Sequence, residues 1–255
     1  MVKPKKHLGQ HFLNDRNIAE KIVRQLSPQQ HDVVEVGAGT GILTTLLLQR
    51  YGERLHVIEV DEESVIYLEA HFPELRNRLY QTDFLKTDLS QFSDHKITII
   101  GNFPYNISSQ IFFHILDFHH QVDEVVCMIQ KEVAERIASP PGSKTYGILS
   151  VLLQAWYHIE YCFTVHEHVF YPQPKVKSSV IRLKRNELNT LGCDESMFRN
   201  IVKKAFNQRR KTLRNGLREL LDEQIIGDEI FNKRAEQLDV ASFIQVTNMI
   251  TKKKT

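Results

Sequence analysis

The sequence predicts an α/β protein with a mostly parallel sheet, followed by a small helical domain. Three observations carry this reading. Short apolar runs alternate with helix-like runs over the first two thirds of the chain. The first apolar run leads into a glycine turn, GAGTG (37–41), and a helix-like segment. From residue 186 the pattern becomes polar, then helical only.

The elements follow in order. HDVVEV (31–36) reads as a buried strand, and GILTTLLLQRYG as a helix with Ile42, Leu43, Leu46 and Leu47 at helical spacing and Gly52 as its C-cap. RLHVIEVD (54–61) is a second strand ending in acids. SVIYLEAHF is helical and stops before Pro73. RLYQTDFL (78–85) and KITIIGN (96–102) are the third and fourth strands. ISSQIFFHILDFHH is a helix with Ser108 or Ser109 as its N-cap. DEVVCMIQ (123–130), IEYCFTV (159–165) and KSSVIRLKR (177–185) are strands. KEVAERIAS and GILSVLLQAWY are helices on either side of the loop SPPGSKTYG. The expected division is residues 1–185 as the α/β domain and 186–255 as a helical domain. In the latter, Phe198, Ile201, Val202, Ala205 and Phe206 form one apolar stripe, and TKKKT is a frayed tail.

With 255 residues, 42% hydrophobic and 25% charged, the composition is that of a soluble globular protein. The basic N-terminus has no apolar run behind it, so neither a secretory signal nor a membrane span is expected. Three separated cysteines, with no CxxC, read as reduced thiols of a cytoplasmic protein, and the histidines show no metal-ligand spacing. Net charge is only +2, yet Arg199–Arg218 holds eight Lys/Arg and no acid. Val169–Asn186 holds five and no acid, and Lys3, Lys5 and Lys6 stand at the start. Three basic stretches in a near-neutral chain suggest a polyanion-binding face rather than separate solvated helix faces.

GAGTG is not a dinucleotide fingerprint, because Ile42 stands where G-x-G-x-x-G needs its last glycine. Gly37, Glu59, Asp83 and Asn102 fall at the ends of successive parallel strands, which face one crevice. Each acid alone also reads as a local cap. As a series they suit a ligand with ribose and adenine but no pyrophosphate, S-adenosylmethionine. GNFPYN (101–106) either forms a turn or holds an amino group. In the second reading the Asn102 oxygen and a backbone carbonyl, that of Phe103 held by Pro104 being a candidate, accept from the amine. Tyr105 stacks on the base.

KKHLGQHFLND, VVEVGAGTGILT, VIEVD, QTDFL, GNFPYNISS, FYPQPKVKSSV and AFNQRRKTLRN resemble, in order and spacing, the ribosomal RNA adenine N6-dimethyltransferases. AFNQRRKTLRN and KRAEQLDVASFIQV resemble the small-subunit (16S) branch. The resemblance implies a class I S-adenosylmethionine-dependent methyltransferase fold (Rossmann-like, seven-stranded) with an all-α C-terminal domain. It also implies dimethylation of two adjacent adenines in the 3′-terminal hairpin loop of 16S rRNA within an assembling 30S subunit. Implied cofactor positions are His11, Leu13, Gly37, Gly39, Glu59, Asp83 and Asn102, with S-adenosylhomocysteine as product and no metal. The implied catalytic motif is Asn102, Phe103, Pro104 and Tyr105, with Phe170 against the target base. Lys203, Arg209, Arg210, Lys211 and Arg214 are expected to meet RNA phosphates, and the protein is expected to be a monomer. Phe103 stands where Leu is commoner, Gln173 replaces a usual Pro, and Lys177 a frequent Asp. Two alternatives remain open here: an assembly factor whose docking matters more than methylation, and a large-subunit methylase of the macrolide-resistance type.

Overall fold

The computed structural model describes residues 2–28 and 31–251; the tail residues 252–255 lie outside them. The elements are β1 (Phe12–Leu13), α1 (Arg16–Val23), β2 (Asp32–Val36), α2 (Ile42–Tyr51), β3 (Leu55–Glu59), α3 (Glu62–His71), β4 (Leu79–Gln81), β5 (Ile97–Asn102) and α4 (Ser108–Asp117). There follow β6 (Val122–Gln130), α5 (Lys131–Ala138), α6 (Ile148–Gln154), β7 (Tyr157–Val165), β8 (Phe170–Tyr171), β9 (Ser178–Arg185), α7 (Glu195–Asn207), α8 (Leu213–Gly216) and α9 (Val240–Thr251). Contacts group residues 1–134 with 158–185 as one unit, and 135–157 with 186–255 as a second.

In the first unit the seven-stranded sheet runs β4-β3-β2-β5-β6-β9-β7. β4, β3, β2, β5 and β6 are parallel, and β9 is antiparallel to β6. The central strands are apolar on both faces: four of five β2 residues and five of six β5 residues are buried. That continuous burial is why they read as unbroken hydrophobic runs rather than alternating ones. From β2 the chain moves outward through β3 to β4, then returns to the other side of β2 as β5. This reversal opens a crevice at the carboxyl ends of β2 and β5. α2 buries Leu43, Leu47 and Tyr51 and ends at Gly52, whose N–H donates to the Leu48 carbonyl, as its spacing predicts.

The third strand is shorter than expected. Asp83 Oδ1 accepts from Leu85 N at 3.0 Å and starts a 3-10 turn, and the strand is confined to Leu79–Gln81. At α4 the N-cap is Ile107, with no side-chain cap. Ser108 is already helical and its Oγ donates to the Tyr105 carbonyl, so neither serine caps the helix.

In the second unit, α7 buries all five residues of the expected stripe, Phe198, Ile201, Val202, Ala205 and Phe206. The segment 135–157, placed by sequence with the α/β domain, packs here instead. Tyr146 is fully buried with its ring 6.0 Å from that of Phe206, α6 contacts α7 and α9, and Gly142 N donates to the Glu236 carbonyl.

Acids occupy buried positions of the sheet at Glu35, Glu59 and Glu124. Glu35 on β2 is 1% exposed, and its Oε2 accepts from Thr44 Oγ1 at 2.7 Å. Burial pushes its carboxyl up from 4.5 to about 8; the Thr44 bond opposes this and the nearby Glu59 charge adds to it. Between these two values the folded chain holds a proton that the unfolded chain has lost, so stability falls as pH rises through the window. Glu35→Gln removes the titration. The melting temperature of the variant relative to wild type is expected to climb from pH 4.5 to 8, measured by scanning calorimetry, and a pH-independent difference would contradict the assignment.

Candidate active site

A cavity of about 380 Å³ lies at the crevice, walled by Gly37, Gly39, Glu59, Asp83 and Asn102. The four strand ends singled out in the sequence thus converge. Ile58, Val60, Phe84, Leu85 and Ile111 supply apolar surface, and the N-terminal segment from Leu8 to Phe12 forms a further wall.

Two glycines make this geometry possible. Gly39 has φ +56°, and a Cβ there would stand 2.8 Å from the Phe12 ring, so no other residue lets the N-terminal segment lie against the turn. At Gly101 a Cβ would stand 2.3 Å from the Val36 carbonyl oxygen. Its absence lets the end of β5 sit beside the end of β2 and brings Asn102 to the glycine turn.

Glu59 is 4% exposed. Its Oε2 accepts from Gly39 N at 2.8 Å, and its Oε1 from Val60 N and Asp61 N at 2.9 Å each. Burial pushes the carboxyl above its ordinary range, and the three N–H groups pull the other way. Two acceptor positions on Oε1 are filled and one on Oε2, which leaves Oε2 able to accept once more. Asp83 uses Oδ1 as a cap for Leu85, while Oδ2 lies 3.9 Å from Lys86 Nζ.

Asn102 Nδ2 donates to the His11 carbonyl at 2.8 Å. A carbonyl only accepts, so the amide orientation is set and Oδ1 faces the other way. Phe103 is buried with its ring 5.9 Å from Phe112, and its N–H donates to the Met128 carbonyl. The Pro104 carbonyl accepts from Ile107 N and the Tyr105 carbonyl from Ser108 Oγ. Among the described residues no hydrogen bond engages the Phe103 carbonyl. The Tyr105 ring stacks on His11 (centroids 5.1 Å, 29°), and its hydroxyl bonds Ser178 Oγ. Burial raises the Tyr105 phenol above its usual range, against the Ser178 bond, so the ring stays neutral at physiological pH. His11 Nδ1 lies 2.7 Å from the Pro172 carbonyl and therefore carries a hydrogen.

Other expected residues stand elsewhere. Leu13 is 3% exposed and borders only a small hollow of about 20 Å³ behind the glycine turn, shared with Glu35 and Asn102. Phe170, its strand partner in the β1–β8 ladder, is 4% exposed within the core cluster and does not wall the main cavity. In the second unit Lys203, Arg210 and Lys211 are exposed. Arg209, in contrast, donates to the Ser143 and Lys144 carbonyls and stands 3.7 Å from Glu236, so it ties that unit together. Arg214 is half-buried, with Nε shielded from solvent. In the first unit Arg182 pairs with the buried Glu124 at 2.7 Å, and Lys5 pairs with Asp61; neither is a spare cation. Sequence reasoning missed Ser178 and the Lys5–Asp61 pair, because nothing in their spacing shows that distant segments meet.

A family model described as ribosomal RNA adenine dimethylase matches residues 1–252. The chain is 54% identical to ribosomal RNA small subunit methyltransferase A of Phocaeicola vulgatus, over 98% of this chain and 90% of that one. It is equally identical to the protein of that name from Cytophaga hutchinsonii, over 99% of both. Among solved structures, a dimethyladenosine transferase from Plasmodium falciparum superposes with TM-score 0.80 at 25% identity, covering 96% of this chain and 98% of the other. The 23S rRNA methyltransferase ErmE superposes with TM-score 0.68 at 21% identity over 93% and 99%, a likeness of fold alone. The fold is the class I methyltransferase fold, and the chain is an enzyme of the ribosomal RNA adenine dimethylase family.

Proposed function

We propose that this protein transfers methyl groups from S-adenosylmethionine to N6 of two adjacent adenines in the 3′-terminal hairpin loop of 16S rRNA, acting as a cytoplasmic monomer on an assembling 30S subunit. The observation that carries the reading is Asn102: its Nδ2 is held by the His11 carbonyl, which leaves Oδ1 out of that bond, and the residue lines the cavity at the strand ends. The small-subunit name of the relatives supports the choice of rRNA.

The residues fit the cofactor. The cavity lies within the roughly 300–1,000 Å³ usual for small-molecule sites and combines apolar walls with acceptor oxygens. The remaining acceptor position of Glu59 suits a ribose hydroxyl, and Asp83 Oδ2 suits an adenine amino group. The turn leaves room for close approach at Gly37, with Phe12 against Gly39 and Leu13 packed behind it. When bound, S-adenosylmethionine supplies an electrophilic methyl on sulfur and leaves as S-adenosylhomocysteine.

The chain's own residues prepare the nucleophile. The adenine amine is weak because its lone pair is delocalised into the ring. Asn102 Oδ1 and the unengaged Phe103 carbonyl accept its two N–H groups and draw the nitrogen toward tetrahedral geometry. The Pro104 and Tyr105 carbonyls each already accept one bond at the start of α4, whereas the Phe103 carbonyl has both lone pairs available, which favours it as the backbone acceptor. Neutral Tyr105, braced by His11 and Ser178, offers a face to the extruded base. The amine sheds its proton after attack, so acceleration comes from position and dipoles. Phe170, buried behind β1, supports the Leu13 side of the site. Phosphate contacts fall to the exposed Lys203, Arg210 and Lys211, with Arg214 beside them.

Asn102→Ala is expected to lower methyl transfer to undermethylated 30S particles at least about a hundredfold while RNA binding persists; near-normal rates would refute the role. Reverse transcription across both rRNAs should show the modification in 16S and none in 23S, and stops in 23S alone would point to a large-subunit enzyme. RNA affinity is expected to fall at least about tenfold between roughly 50 and 200 mM salt, read by filter binding, and a flat response would remove the phosphate assignment.

A further inference from the structure

Tyr171 is an aromatic side chain left 59% exposed. The backbone explains its direction. In the β1–β8 ladder Phe12 pairs with Tyr171 and Leu13 with Phe170. Successive strand residues leave on opposite faces, so Tyr171 departs from the face that Phe170 shares with Leu13 and takes that of Phe12; Phe12 is covered, and the Tyr171 ring is left to water.

Its position adjoins the reaction site. Phe12, its ladder partner, walls the cavity. The next residue, Pro172, holds His11 through its carbonyl, and His11 stacks on Tyr105. Beyond it Lys175, Val176 and Lys177 are exposed, and no acid lies between Val169 and Asn186. Of the five large hydrophobic residues exposed among the described residues, Tyr171 and Val176 belong to this short segment and Val60 to the cavity wall. Exposed apolar surface therefore gathers beside the site, accompanied by positive charge. An aromatic face next to lysines is the pairing that holds single-stranded nucleic acid, where the base stacks and the cations track the phosphates.

We propose that Tyr171 is a stacking platform for the nucleobase next to the target adenine, with Lys175 and Lys177 on the flanking phosphates. The proposal rests on the rRNA reading above. Drawing one adenine out of a loop strips its neighbour of one stacking face, and Tyr171 supplies a replacement. A purine neighbour gains more from such a face than a pyrimidine, so the platform also favours a second adenine at that place.

The test uses undermethylated 30S particles whose neighbouring nucleotide is adenine or uracil, with KM and kcat read for wild type, Tyr171→Ala and Tyr171→Trp. Wild type is expected to show a KM roughly tenfold lower for adenine than for uracil. Tyr171→Ala is expected to raise KM on the adenine particle by roughly tenfold and to erase the discrimination, and Tyr171→Trp to restore both. Normal methylation by wild type, with discrimination undiminished in Tyr171→Ala, overturns the platform alone. Absence of methyl transfer by wild type to either particle overturns the rRNA reading and the platform with it.

Discussion

The hydrogen bond from Asn102 Nδ2 to the His11 carbonyl is the constraint on which the site depends. An amide can turn either face toward a cavity. Here a carbonyl acceptor takes the N–H₂ and leaves the oxygen free of that bond. The carbonyl belongs to the N-terminal segment, so that segment must itself be held. Phe12 lies against Gly39, Lys5 pairs with Asp61 just beyond β3, and His11 Nδ1 bonds Pro172. The segment that walls the cavity is thus the one that orients the amide, and both settle together.

Two buried carboxyls flank the glycine turn, Glu35 at the small hollow behind it and Glu59 at the main cavity. Burial raises both. Glu59 receives three backbone N–H groups, whereas Glu35 receives one hydroxyl and feels the Glu59 charge. Burial is therefore less opposed at Glu35, whose carboxyl rises to about 8, than at Glu59, where three N–H groups favour the ionised form. The difference follows from donors rather than exposure, since both side chains are almost fully covered.

Much of the fold was legible because it rests on periodicity. The apolar runs became the strands of the sheet, and the stripe from Phe198 to Phe206 became the buried face of α7. The strand-end series Gly37, Glu59, Asp83 and Asn102 was legible for the same reason, since a parallel sheet places those ends on one edge. What periodicity cannot reach is long-range pairing. The two-residue strands β1 and β8 carry no pattern, yet they pair Leu13 with Phe170 and Phe12 with Tyr171, and of the four only Tyr171 is exposed. α1 passed unread, and Ser178 meets Tyr105 across 73 positions of chain. A stretch of arginines reads as a phosphate surface, but Arg209 found carbonyls within its own unit. The segment 135–157 followed the helices that complete its core rather than its neighbours in sequence.

The most direct measurement is a crystal structure with S-adenosylhomocysteine and an adenine nucleoside bound together. The account predicts that Asn102 Nδ2 stays on the His11 carbonyl and that Oδ1 and the Phe103 carbonyl each lie about 2.6–3.2 Å from the adenine amino nitrogen. An amide rotated toward the core, or an amine served by other acceptors, would contradict it.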